Sequence, residues 1–234
     1  LQFPSPRTGV ALGFINRDRR SKSDPVVVLT ADGGRNWQIS PLPERGRSLF
    51  FLNDRTGWLA AEKALLKTTD GGRSWLRVKL EGLRVTPLRV FFLDESRGWL
   101  LCAEKLIYST RDGGRSWQIL ETSRQPDVPA PQSLYTWAAF LNPRTGLLTG
   151  FSRPPDRTSR PEWMEPDLRP TGRRPTTAIV LHTADGGETW NHRLLPKFGQ
   201  ILRVRAFVDS TPLLLVQHPD SLLAASEILA LDPK

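Results

Sequence analysis

"TTDGGRSW", residues 68–75, decides the fold. Near copies stand at 30–37 ("TADGGRNW"), 110–117 ("TRDGGRSW") and 183–190 ("TADGGETW"). A stretch used four times is either a site that binds four times over or the corner of a unit that the fold repeats, and the spacing chooses between them. Trp37 and Trp75 lie 38 positions apart, and Trp75 and Trp117 lie 42 apart. Trp117 and Trp190 lie 73 apart, which is one period plus an insertion.

The sequence around each copy supplies the rest of the unit. In "SLFFLNDRTGWLAAEKALLKTTDGGRSWLRVKL" (48–80) short apolar runs alternate with turn clusters at Asn53–Gly57 and Asp70–Gly72. Runs this short, rich in aromatic and branched residues, predict strands joined by hairpins rather than helix. They are A ("SLFFL"), B ("GWLAA"), C ("ALLKTT") and D ("WLRVKL"). The same order recurs in "RVFFLDESRGWLLC" and "WAAFLNPRTGLLTG", and in degenerate form in the opening "LQFPSPRTGVALG". A four-stranded antiparallel unit repeated every ~40 residues is the signature of a propeller blade. The expected fold is all-β, a β-propeller or propeller arc of about five four-stranded blade units in one domain over 1–234. The blades fall near 1–43, 47–82, 86–122 and 133–195, the last with an insertion at 152–177. A partial fifth over 200–234 reaches its third strand at "SEILALD".

Each position of the eight-residue turn has a local task. Asp70 at the corner can accept hydrogen bonds from the N–H groups of its own turn, Gly71 and Gly72 permit positive φ, and Thr68 and Ser74 tie the strand ends. Trp75 offers a large apolar face and is expected to plug the core at the start of strand D. The equivalents are Asp32, Asp112 and Asp185, with Trp37, Trp117 and Trp190. Four carboxylates in four separate blades do not converge on one substrate, so the turn is structural.

These residues carry a resemblance. The turn matches the Asp-box, or bacterial neuraminidase repeat, of pattern S/T-x-D-x-G-x-T-W. With "RTGW" before strand B and "TTDGG" after strand C, the chain resembles the photosystem II stability and assembly factor family of propellers and its bacterial relatives. That resemblance implies a seven-bladed, extracytoplasmic, non-enzymatic scaffold, in periplasm or lumen, that docks onto membrane-complex subunits. The chain departs from the family in having five blade units and a long insertion in the fourth.

Composition bounds the function. Of 234 residues 38% are hydrophobic, enough for a packed core, and a net charge of +9 with a pI near 10.4 suits an acidic partner. Cys102 is the one cysteine, so no disulfide forms within the chain and no multi-cysteine metal site is available. No run approaches the ~20 apolar residues of a membrane span, and "LQFPSPRTG" lacks a charged-then-apolar leader, so the chain as read is a soluble one, mature or truncated. His182, His192 and His218 have no metal-ligand spacing, so no metal and no cofactor are expected.

The competing expectation is a carbohydrate-active propeller, sialidase-like or another glycoside hydrolase. Sialidase chemistry needs a tyrosine nucleophile with a glutamate partner, and only Tyr108 and Tyr135 exist. Of these, Tyr135 alone falls where a central channel is reachable, and the Arg-Ile-Pro segment of sialidases is absent.

The loops name the expected binding face. In a blade the B–C and D–A loops open on one side and the A–B and C–D turns on the other. Irregular, charged segments gather on the first: 15–25 and 152–177 between strands B and C, and 121–133 between blades. They place Arg17, Arg19, Arg20, Lys22, Arg153, Arg157, Arg160, Trp163, Arg169, Arg173 and Arg174 in Pro-rich surroundings, and Arg and Trp are the side chains that make interface hot spots. The expectation is a non-catalytic scaffold that binds a protein, with peripheral membrane association open to it and no small-molecule substrate. Nucleic acid is not expected, because Arg interleaved with Pro and acids lacks a base-stacking platform.

Overall fold

The computed structural model describes residues 1–16, 23–80, 84–153, 177–198, 200–205, 213–217 and 226–230. Among them regular structure is almost entirely strand, in five antiparallel sheets each running in chain order. The chain forms two compact units, one of Leu1–Cys102 with Ile107–Ile119, the other of Ala103–Leu106 with Leu120–Lys234.

The first unit holds three sheets. β1 (Gly9–Ile15), β2 (Asp24–Thr30) and β3 (Gln38–Pro41) make a three-stranded one, to which Gln2 adds a single bridge on Val10. β4 (Gly46–Phe51), β5 (Gly57–Ala61), β6 (Leu65–Thr68) and β7 (Leu76–Val78) make the second. β8 (Pro87–Phe92), β9 (Gly98–Cys102), β10 (Ile107–Thr110) and β11 (Gln118–Ile119) make the third.

The second unit holds β12 (Ser133–Phe140), β13 (Gly146–Ser152), β14 (Thr177–Thr183) and β15 (Asn191–Phe198) in one sheet. β16 (Gln200–Arg205), β17 (Leu213–Gln217) and β18 (Ser226–Ala230) follow in a three-stranded one. Up-and-down sheets of this size in succession are propeller blades, as the repeat requires.

Burial follows strand order within a blade. β5, β9 and β13 are buried at every position, which is why "GWLAA", "GWLLC" and "GLLTGFS" read as continuous rather than alternating apolar runs. The outer strand β7 shortens to three mostly exposed residues. In the first unit Val10, Val27, Phe51, Leu59, Leu66 and Leu42 form one cluster across the first two blades. In the second, Leu147, Ala178 and Val180 pack with Trp137 and Leu195.

The corner is built alike four times. Thr68 Oγ1 donates to Asp70 Oδ1 at 2.8 Å and accepts from the Gly72 N–H at 2.9 Å. Asp70 also accepts from the Ser74 N–H at 3.0 Å and from the Ser74 hydroxyl at 2.5 Å. Thr30 with Asp32 and Asn36, Thr110 with Asp112 and Ser116, and Thr183 with Asp185 and Thr189 repeat the pattern. Both glycines of every box take positive φ, between 71° and 92°, where a β-carbon is costly. The first glycine of each donates its N–H to a carbonyl of the A–B turn in the same blade: Arg7, Arg55, Ser96 and Arg144.

The tryptophans correct one expectation. Trp75 and Trp117 are half-buried and Trp37 is 39% exposed, so only Trp190, at 6%, sits in the core. They precede β7, β11, β3 and β15 rather than opening them. Each ring meets a strand-A phenylalanine edge-on at about 6 Å: Phe3, Phe51, Phe92 and Phe140 for Trp37, Trp75, Trp117 and Trp190. Each indole N–H returns to the second box glycine's carbonyl, at 3.0 to 3.3 Å. The phenylalanine in turn lies over the glycine that opens strand B. A β-carbon at Gly98 would fall 2.5 Å from Phe92, and one at Gly146 2.6 Å from Phe140. The tryptophan is therefore a lid on a phenylalanine–glycine stack, partly exposed at Trp37, Trp75 and Trp117 and buried at Trp190, while the fully buried indoles are Trp58 and Trp99 of strand B.

Candidate partner-binding face

The A–B and C–D turns of the four Asp-box blades spend their polar groups on one another. Asp32 is held at about 2 by the Asn36 N–H and side chain and by Thr30. Asp70 reaches about 2 because the Ser74 and Thr68 hydrogen bonds outweigh its partial burial. Asp112 and Asp185 lie below the usual carboxylate range, through Ser116 and Thr189 first. Their oxygens are consumed by turn N–H and hydroxyl donors, and this is hydrogen bonding favouring the charged form. Asp94 does the same for its A–B turn, with Arg97 at 2.7 Å. A further tie runs between neighbouring blades of the first unit: Lys67 Nζ donates to the Gly113 carbonyl at 3.0 Å and lies 5.1 Å from the centroid of Trp58. Trp58 stacks on Phe92 at 3.7 Å.

The B–C and D–A side is where the sequence placed the partner. Of the residues expected to bind it, Arg17, Arg19, Arg20, Lys22, Arg157, Arg160, Trp163, Arg169, Arg173 and Arg174 lie outside the described residues. Arg153 lies within them. It is exposed at the end of β13, its guanidinium 5.3 Å from the Phe151 ring centroid and its N–H bound to the Gln132 carbonyl.

The segment 121–133, expected to be irregular, is built. It carries 3-10 turns at Glu121–Arg124 and Ala130–Gln132. The Lys105 ammonium donates to the Pro126 and Val128 carbonyls at 2.5 and 2.9 Å, and desolvation lowers its pKa against the pull of Asp127. Glu104 and Lys105 reach this position with φ of 58° and 48°, although neither is glycine. Ser133 Oγ bonds the Pro129 carbonyl and the Ser152 hydroxyl, both at buried or half-buried positions. Nothing in "AEKL" announces this clasp: the sequence shows only a short hairpin, and Lys105 becomes informative once its burial is known.

Tyr135 and Cys102 are placed by the same packing. Tyr135 is fully buried and its hydroxyl donates to the Ser123 carbonyl at 3.0 Å, while burial raises its pKa. It is an anchor for the first 3-10 turn and has no access to a substrate. Cys102 is fully buried, its thiol pushed up to about 12, which leaves no thiolate to act as nucleophile. Among the described residues no three His, Cys, Asp or Glu side chains gather as a metal site, and no helix is long and apolar enough to cross a membrane.

Meanders in succession, four of them closed by the same carboxylate-locked corner, define an Asp-box protein of the β-propeller class. Within that class it resembles the photosystem II assembly factors: residues 22–121 match the family model described as photosynthesis system II assembly factor YCF48. No curated protein matches the sequence. Among solved structures, YCF48 bound to D1 peptide is 18% identical over 92% of this chain and 88% of that one, with a TM-score of 0.44. YCF48 from Cyanidioschyzon merolae is 17% identical over 90% of each chain, with a TM-score of 0.39. The GH74 xyloglucanase from Xanthomonas campestris is 14% identical over 96% of this chain, with a TM-score of 0.60. This chain covers 36% of that enzyme, and at such identity the likeness is one of fold.

Proposed function

We propose that the protein is a non-catalytic scaffold of the assembly-factor kind, which binds a subunit of a membrane complex through the B–C and D–A loops of its blades. The match of residues 22–121 to an assembly-factor family carries the reading. The chemistry of the turns supports it: the repeated acids are spent on their own corners, and Tyr135 and Cys102 are sealed in the interior. The variable, Arg-rich and Pro-rich segments are left to meet a partner, whose acidic surface complements a net charge of +9. Its place is outside the cytoplasm, in periplasm or lumen, where assembly factors of this kind meet membrane subunits, and it works without cofactor or small-molecule substrate.

The test is capture of the partner from a native membrane extract, followed by titration against two double variants. Arg173→Glu with Arg174→Glu should weaken the complex and leave it less salt-sensitive than the parent's, because charge pairs have been removed. Arg55→Glu with Arg144→Glu, on A–B turns, should bind as the parent does. Loss confined to the second pair would move the interface to the other side of the blades. Turnover of a glycoside by the parent would overturn the non-catalytic reading.

A further inference from the structure

β1 does not end as a soluble hairpin end does. Its last two residues, Phe14 and Ile15, are 55% and 40% exposed, paired in register with Pro25 and Asp24. Consecutive strand residues point to opposite faces of a sheet, so this end of the blade is apolar on both faces at once. Cations stand beside it. The Arg45 guanidinium lies 5.5 Å from the Phe14 ring centroid, and the exposed Lys63 follows Glu62, whose N–H donates to the Arg45 carbonyl. The nearby acids are Asp24, Glu62 and Glu44. Glu44 is neutralised by Arg77 at 2.7 Å and accepts the Lys63 N–H at 2.8 Å, which fixes that turn.

We infer that this end of the first blade, with Phe14 and Ile15 as anchors, Arg45 over Phe14 and Lys63 on the turn bonded to Arg45, docks the protein on an anionic lipid surface. A folded protein partner presents a surface, and a surface covers one face of a sheet; the headgroup layer of a bilayer is a medium, and it surrounds both. An apolar ring and its aliphatic neighbour can bury at the boundary of headgroups and acyl chains while the guanidinium over the ring meets phosphate. Each basic side chain near an anionic leaflet adds attraction that salt screens. Ile39 on β3, flanked in sequence by Gln38 and Ser40, and Leu76 on β7, followed by Arg77, are exposed without an adjacent exposed apolar residue on their strands, as surface apolar residues ordinarily are. Ile15 and Lys63 lie on the B–C side that the proposed function gives to the protein partner, so this inference adds a lipid contact on that side, and its test is read separately from the complex.

The experiment uses the full chain and vesicles of phosphatidylcholine with or without phosphatidylglycerol. The parent should co-sediment with the anionic vesicles at low salt and not with the neutral ones. Phe14→Ala with Ile15→Ala should weaken that binding by roughly tenfold, given the apolar area two such side chains bury. Leu76→Ala should bind as the parent does. Because Cys102 is buried, Ile15→Cys accepts a single environment-sensitive label, whose emission should shift to the blue on anionic vesicles alone. A parent that ignores anionic vesicles, a Phe14/Ile15 variant that binds them undiminished, or equal loss in Leu76→Ala would each overturn the inference. So would loss of a captured protein in the Phe14/Ile15 variant with vesicle binding intact, which would assign this end to a protein partner.

Discussion

The first and fourth Asp-boxes share a sequence pattern and a hydrogen-bond scheme, yet Trp37 is 39% exposed and Trp190 only 6%. Thr30, Asp32 and Asn36 make the same bonds as Thr183, Asp185 and Thr189. The carboxylate lock is thus a local device that the box residues complete among themselves, with one further bond from the first glycine to the A–B turn of the same blade. Burial of the tryptophan is supplied from outside the box. At Trp37 the partner ring is Phe3, itself 46% exposed, whereas Phe140 lies on the eight-residue strand β12.

The strongest test of this contrast is to empty both positions. Trp190→Ala should cost about 3 to 4 kcal/mol and Trp37→Ala about 1 kcal/mol, since the penalty of a lost aromatic scales with the cavity it leaves. Urea denaturation followed by far-ultraviolet circular dichroism reads the difference. Equal losses would mean that the boxes, and not their surroundings, set the energetics.

Next in size is the stack beneath the lid. Gly98→Ala places a methyl 2.5 Å from the Phe92 ring and should cost about 1 to 3 kcal/mol by overpacking. Gly13→Ala, whose nearest neighbour is a valine methyl at 3.6 Å, should be close to neutral in the same assay. Asp112→Ala is smaller again, about 1 kcal/mol, because the turn donors it leaves are partly exposed and water replaces the carboxylate.

The smallest effect is in pH. Asp32 and Asp70 sit at about 2 against an ordinary 3.8, so the unfolded chain binds their protons first as pH falls. Their contribution is complete above about pH 4 and is lost on the way down to about pH 2. The parent should lose stability over that interval, and Asp70→Asn should lose less of it.

The repeat was legible because its causes are local. A glycine pair at positive φ, a carboxylate that accepts its own turn's N–H groups and a period in the tryptophans all show in one dimension. Strand B was legible for the same reason, since a strand buried on both faces has no polar register to disguise it. The fate of the tryptophans was not, because burial of Trp37 or Trp75 depends on which neighbouring ring and blade cover it. The Lys105 clasp was invisible as well: two carbonyls at Pro126 and Val128 recruit it across a separation of more than twenty residues. Tyr135, the one tyrosine that strand position put within reach of a central channel, is instead fixed by a carbonyl that no pattern marks.

The hairpin of β13 and β14 holds seven successive pairs in unbroken register, from Gly146 with Thr183 to Ser152 with Thr177, around a connection that runs from 153 to 176. Doubling the length of such a connection costs only about 0.6 kcal/mol in closure entropy, so the ladder is nearly indifferent to what it carries. That hairpin is a socket. A foreign segment of similar or greater length, with its ends grafted at Ser152 and Thr177, should be displayed without disturbing the blade.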